Sequence, residues 1–412
     1  MKTTKRHYFG ILLVASIAIT QPSSPPREPI VIIPGIMGTA LDRVADNREI
    51  WPDVGLMISS PADDYLDALT FTAAGAQTIA IAPGGILRSA AGISFYGNLI
   101  AAFEKLGYSE QTNLVLAPYD WRQSVASSAA AIAPVIARAM HASPNGKIII
   151  IAHSMGGLVL KAYLAMGGGT NSTAAPAAAA IDKIIMVAVP QFGAPEAFKI
   201  LNYGDDLGLG FLGIGLNHNE VKRISQNMPA AYELLPSRTY FQNAGAYIRD
   251  AGLAINNAAA NATTLTYDQT LLRMATGGHG LGALNLRLLR AADTLHQKLD
   301  APQSSAQPDP TKTWSVVGCR ASTIGGFSLY ANGIVVETQH VSGDGTVPLA
   351  SALIASAAGH SYFVRSDKTG INHIGLISDS RTVSLITKIA LGTIPTAATL
   401  PANLSPLKNI CN

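Results

Sequence analysis

The chain has 412 residues, 48% of them hydrophobic and 13% charged, with a net charge of +3. That balance suits a large buried core and excludes a disordered chain. There is no basic patch with interleaved aromatics, no Gly-rich phosphate loop with its Lys and no His/Cys metal spacing, so nucleic acid is not an expected partner and no cofactor or metal is implied.

Lys2, Lys5 and Arg6 precede an apolar run from Tyr8 to Ile19, which Thr20-Gln-Pro-Ser-Ser-Pro-Pro26 ends. Basic region, apolar region and polar break make a signal-peptide pattern. The run is short for a membrane span. Cleavage after Thr20 fits the small residues Ala18 and Thr20, and an uncleaved membrane anchor is the alternative. Residues 1–28 are thus expected to be a signal peptide and Pro-rich linker, with export to the periplasm or the cell exterior.

Strands are expected at 30–33, 114–117, 147–152 and 183–189 with helices between them, as in a mostly parallel sheet. The first ends in Pro34-Gly-Ile-Met-Gly38, whose glycines let a main-chain N–H face a pocket. After the second comes Tyr119-Asp-Trp-Arg122. Asp120 is expected to cap the helix that starts near Gln123, with Trp121 and Arg122 packing and pairing beneath it. Ser127 to Met140 reads as an Ala-rich helix.

The stretch from Lys147 to Lys161 reads as a buried strand, an abrupt turn at Ser154 and a helix. A Ser in such a turn, flanked by small residues, is the nucleophile elbow of α/β-hydrolases. Ala152 and Gly156 must be small for strand and helix to approach. The alternative is a strand–helix junction whose Ser only caps the helix.

A serine hydroxyl needs a base within hydrogen-bond reach, itself oriented by a carboxylate. In this fold the order along the chain is Ser, Asp or Glu, then His, each on a loop after a strand. Trp314–Gly318 and Gly333–Glu337 read as strands leading to Asp344 in a Gly-rich turn. Ser361–Val364 reads as another, followed by His373. Of the other histidines, His153 is read as packing, His340 as a surface or hydrogen-bonded residue, and His360 as lying at the far end of the sheet. Asp367 rivals Asp344 but shares its connection with His373. The oxyanion would take the backbone N–H of Met155 and that of Ile36.

From 196 to 310 the strand rhythm stops, which reads as a cap or lid inserted between core segments 29–195 and 311–394. Within it, Leu207 to Leu216 alternates bulky apolar residues with Gly. It is either a lid segment whose Leu209 and Phe211 touch acyl chains or a lipid surface, or a buried turn. The helix Arg381 to Leu391 closes the core, and 395–412 reads as a tail. Cys319 and Cys411 either pin that tail by a disulfide or never meet.

Six stretches together resemble the lecithin:cholesterol acyltransferase family of the α/β-hydrolase superfamily, which includes a lysosomal phospholipase and the phospholipid:diacylglycerol acyltransferases. They are Val31–Thr39, Ala117–Arg122, His153–Gly157, Gln191–Pro195, Glu233–Ser237 and Gly343–Pro348, within roughly residues 30 to 380. The serine motif is common to many hydrolases. Tyr-Asp-Trp-Arg together with Asp-Gly-Thr-Val is far more specific. The resemblance implies an α/β-hydrolase fold with an inserted cap, Ser154, Asp344 and His373 as triad, and Ile36 and Met155 as oxyanion donors. The region around Trp51 looks like the family's early loop. Animal members carry two disulfides, and two cysteines can form one at most. The resemblance further implies a lipid O-acyltransferase moving an acyl group from a phospholipid through Ser154 to an alcohol. The alternatives are a lipase, phospholipase or esterase using water, and a catalytically inactive binding protein of this fold. Expected partners are a lipid or ester substrate and a membrane or lipid surface.

Overall fold

The computed structural model describes residues 27–60, 62–167, 177–205, 216–250, 262–277, 281–302, 304–330, 335–354 and 356–412. The signal-peptide pattern and the lid residues Leu209 and Phe211 lie outside the described residues.

Seven strands form the central sheet: β1 (Ile30–Ile33), β2 (Leu114–Leu116), β3 (Ile148–His153), β4 (Ile181–Val187), β5 (Thr313–Cys319), β6 (Ser361–Arg365) and β7 (Leu404–Ser405), in the order β7-β6-β5-β4-β3-β1-β2. All neighbours are parallel except β7, which runs antiparallel to β6. Strands covered on both faces need apolar side chains on both, hence the unbroken runs Ile30-Val-Ile-Ile33 and Ile148-Ile-Ile-Ile151, every residue buried. Apolar clusters fill both sides of the sheet. This is an α/β-hydrolase fold with inserted helical regions.

Parallel neighbours need crossover connections. Helix α1 (Gly97–Lys105) precedes β2, α2 (Val125–Ala142) joins β2 to β3, α3 (Met155–Ala165) leads from β3 toward β4, and α4 (Ser380–Ala390) follows β6. The chain leaves β1 for β2 on one side and returns to β3 on the other. That reversal opens a crevice at the carboxyl ends of β1 and β3, where open α/β sheets bind ligands. Helix α2 is long and apolar enough to cross a membrane by length and composition, yet it buries Val125, Ala129, Ile132, Ile136 and Ala139 along one face.

Three expectations change. The strand expected at Gly333–Glu337 is Val335–Gly343, which pairs antiparallel with Ala321–Leu329 in a separate four-stranded sheet rather than in the core. Ser124, not Asp120, caps α2, its hydroxyl accepting from the Ser127 N–H, while Asp120 is spent on Arg122 at 2.7 and 2.9 Å. Within the expected tail, β7 adds an edge to the central sheet, and Cys411 is disulfide-bonded to Cys319 at the end of β5.

Between β4 and β5 the described chain is mainly helical. Buried polar contacts fasten it to the core. Lys161 of α3 is 3.7 Å from Asp300, the last residue of the helix Leu286–Asp300. The Glu233 carboxyl accepts from the Val125 N–H at 2.6 Å, at the first turn of α2. Burial pushes the Glu233 carboxyl up to about 7, against the pull of that N–H and of His296.

Glu233 titrates higher folded than unfolded, so the unfolded chain gives up its proton first. Its contribution to stability is whole below about 4.5 and is lost as pH rises through about 7. Glu233→Gln keeps the acceptor and removes the charge. In urea melts it should gain on the order of 2 kcal/mol over wild type at high pH relative to low pH. An equal difference at both ends of the range would show that the carboxyl is not held protonated. Cys411→Ser should cost about 2–4 kcal/mol in the same melts, because it frees a long loop in the unfolded chain. Loss of the β7 edge without loss of stability would contradict that.

Candidate active site

Ser154 sits between β3 and α3 with φ 52° and ψ −131°, a conformation that costs an ordinary residue about 1–3 kcal/mol. Packing on both sides over-determines it. The Ser154 N–H donates to the Val187 carbonyl at 2.9 Å. A Cβ on Gly156 would lie 2.5 Å from the Pro34 oxygen and 2.6 Å from the Ile33 oxygen, so α3 meets the end of β1 only because that residue is glycine. A Cβ on Gly35 would fall 2.7 Å from the Ser154 Cβ, which places the turn after β1 beside the serine. Ala152 is fully buried at the other side of the elbow.

The structure brings Ser154, His373 and Asp344 together. The Ser154 hydroxyl is 2.9 Å from His373 Nε2, and His373 Nδ1 is 2.8 Å from Asp344 Oδ2. Asp344 is 1% exposed, and its Oδ1 accepts from the N–H groups of Thr346 at 2.9 Å and Val347 at 2.7 Å. These two bonds fix the direction of the carboxylate. The loop is closed by Gly345 N–H donating to the Thr323 hydroxyl at 2.9 Å, on the hairpin that follows β5. Asp367 stays outside the site, paired with Arg365 at 2.7 Å and Arg320 at 3.3 Å.

Met155 follows the serine directly, and Ile36 follows Gly35, the residue packed against the Ser154 Cβ. Met155 is the first residue of α3, where a helix has no internal acceptor for its N–H. In the loop after β1, Gly35 N–H donates to the Tyr96 hydroxyl and Gly38 N–H to the Gly35 carbonyl. Among the described residues, the N–H groups of Ile36 and Met37 have no partner in the chain. The geometry therefore offers a base-paired serine beside unengaged backbone donors, which is what stabilising a tetrahedral oxyanion requires. Among the described residues, no group of three or more His, Cys, Asp or Glu could hold a metal ion.

Sequence reasoning missed what braces this loop. Tyr119 donates its hydroxyl to the Pro34 carbonyl at 2.7 Å, Trp121 its indole N–H to Thr39 at 3.0 Å, and Trp51 its own to Met37 at 3.0 Å. The signal for Tyr119 and Trp121 lay in the Tyr-Asp-Trp-Arg run. Tyr96 had none. His153, read as packing, is buried as expected but also bonded, 2.8 Å from the Tyr96 hydroxyl and 3.3 Å from the His373 carbonyl. Burial holds its ring well below the usual histidine range, and the neighbouring His373 lowers it further. His360 stacks on Trp314 and His340 pairs with Ser322 on the exposed hairpin, both away from the site.

The family model described as lecithin:cholesterol acyltransferase matches residues 86–277, a window that holds Ser154 but neither Asp344 nor His373. Over that stretch the chain is homologous to the lecithin:cholesterol acyltransferase family. The homology and the fold fall within the α/β-hydrolase superfamily. No curated protein matches the chain significantly. Among solved structures, a chain of the Tle4-Tli4 complex is similar over 88% of this chain and 98% of its own, with TM-score 0.57 at 17% identity. The mature form of Bacillus licheniformis lipase BlEst2 is similar over 89% and 93%, with TM-score 0.39 at 12% identity. EstA from Clostridium botulinum covers 91% of this chain and 89% of its own, at TM-score 0.35 and 12% identity. At 17% identity the likeness to the Tle4-Tli4 chain is one of fold alone.

Gly156→Ala should cost about 1–3 kcal/mol in a urea melt, because the added methyl has only β1 carbonyls to push against. Unchanged stability would mean that strand and helix are not held this close.

Proposed function

We propose that this chain is an exported serine enzyme that cleaves lipid esters through an acyl-Ser154 intermediate and releases the acyl group to water. One observation carries the reading: the Ser154 hydroxyl, His373 and Asp344 form a hydrogen-bonded series at 2.9 and 2.8 Å, at the carboxyl ends of the sheet strands. His373 takes the Ser154 proton at Nε2 as the oxygen attacks the ester carbonyl. Asp344 holds the Nδ1–H tautomer and stabilises the imidazolium that forms. The N–H groups of Ile36 and Met155 receive the oxyanion. His373 then gives its proton to the leaving alcohol, and water, deprotonated by the same ring, releases the acid. No step calls for a cofactor.

The lipid character of the ester is supported by the homology of residues 86–277. The same homology favours a second reading, O-acyl transfer, in which a long-chain alcohol takes the place of water. In either case residues 196–310 act as a cap between core segments 29–195 and 311–394. Residues 1–28 direct export, and the Cys319–Cys411 disulfide suits an oxidising compartment.

Purified protein and Ser154→Ala should be incubated with radiolabelled phosphatidylcholine vesicles, with and without a long-chain alcohol. Free fatty acid from the intact enzyme alone is the expected result. Labelled ester formed only when the alcohol is present would replace hydrolysis by transfer. Release by Ser154→Ala at the wild-type rate would sink both. Asp344→Asn should lower kcat by about a thousandfold to ten-thousandfold, since it reverses the hydrogen bond that sets the His373 tautomer.

A further inference from the structure

Behind the reacting atoms runs a second hydrogen-bonded series that the proposed chemistry does not use. The Gly35 N–H is 2.8 Å from the Tyr96 oxygen, that oxygen is 2.8 Å from His153 Nδ1, and His153 Nε2 is 3.3 Å from the His373 carbonyl oxygen. Tyr96 and His153 are each 2% exposed, so bulk water does not compete for these bonds. Their rings meet edge to face with centroids 5.7 Å apart, and the His153 and His373 rings lie 5.1 Å apart.

Every proton in this series has one place to be. A backbone N–H only donates, so the Tyr96 oxygen accepts from Gly35. Burial raises the Tyr96 phenol far above its usual range, so it keeps its proton and donates to His153 Nδ1. The His153 ring is neutral, because burial disfavours its charged form. With Nδ1 accepting, its one N–H is on Nε2, facing a carbonyl oxygen that only accepts. Both ends of the series matter to the site. Gly35 begins the turn that carries Ile36, and the His373 carbonyl belongs to the residue whose side chain meets Ser154.

We propose that Tyr96 and His153 are positioning residues for the base, tying the backbone of His373 to the turn that presents the oxyanion donor. This rests on the reading of Ser154 and His373 as nucleophile and base. Neither Tyr96 nor His153 touches the ester. They act by holding two loops from distant parts of the chain at one spacing, so that proton transfer and oxyanion binding meet at the same carbonyl. A wrong tautomer or a missing link leaves the loops present but less well registered.

The test uses the full-length protein, Tyr96→Phe, His153→Asn and His153→Gln. Competent sites are counted by exhaustive titration with a fluorophosphonate, and kcat and KM for p-nitrophenyl butyrate are expressed per titrated site. This separates misfolded protein, which lowers the titre, from poorly aligned protein, which lowers the rate. Tyr96→Phe and His153→Asn should each lose about tenfold in kcat per site, about 1.4 kcal/mol, with KM nearly unchanged. His153→Gln, whose amide N–H reaches where Nε2 stood, should recover most of that loss. A kcat per site equal to wild type in all three variants would overturn the proposal, and so would a Gln variant as slow as the Asn variant. If wild type itself takes no label, the reading of Ser154 fails, and this inference fails with it. A labelled wild type with unimpaired variants removes this inference alone.

Discussion

Helix α3 meets the carbonyl oxygens at the end of β1 with no side chain between them. Gly156 makes that contact possible, since any Cβ there would collide with the Ile33 and Pro34 oxygens. Once the helix lies so close, the residue joining it to β3 must turn sharply, and Ser154 is forced to φ 52°. Its hydroxyl is then at the crest of the turn, between the loop that follows β1 and the loop that follows β6. The strain is affordable because it is spread over a buried strand, a buried helix and the bond from Ser154 N–H to Val187. The neighbouring functional groups take their places relative to this one contact.

The loop after β1 is the most demanding part of the site, because it must keep N–H groups unengaged while its carbonyls are buried. Three aromatic side chains resolve the conflict by donating to those carbonyls: Tyr119 to Pro34, Trp51 to Met37 and Trp121 to Thr39. Tyr119 and Trp121 alternate with Asp120 and Arg122 as the chain enters a turn, closed by the Gln123 N–H donating to the Asp120 carbonyl at 3.1 Å. Arg122, itself buried, reaches Asp120, the Leu69 carbonyl and Gln77. One short motif thus braces the loop with one set of side chains and anchors the insertion after β1 with the other. An aromatic donor suits this role because its ring fills space while its single polar atom satisfies a single carbonyl.

Much of this was legible in the linear chain. Runs of Ile and Val marked β1 and β3, and the small residues around Ser154 marked the elbow. The order of Asp344 and His373 along the chain, each after a strand, placed them on loops at one end of the sheet. The misreadings share a cause. The strand at Val335–Gly343 has the local pattern of any strand, and only its partner, Ala321–Leu329, takes it out of the core sheet. Ser124 and Asp120 both have the chemistry of a helix cap, and the nearby Arg122 guanidinium claims the carboxylate. β7 is too short for its pattern to be seen against a Pro-rich background.

The sequence by itself determined which backbone conformations were available: where strands and helices form, where glycine permits an approach, and which residues carry nucleophilic, basic and acidic groups. Those are local properties of bonds and side chains. Only the tertiary structure decided which of these groups meet. Tyr96 shows the limit, since nothing around it in the chain distinguishes it from a core tyrosine. It matters because Gly35 and His153, 61 and 57 residues away, arrive at its hydroxyl. The disulfide between Cys319 and Cys411 shows the same limit, for it depends on β6 and β7 bringing the chain's end beside β5. A hydrogen bond or a disulfide needs partners within a few ångströms, and distance in space is what a linear sequence does not contain.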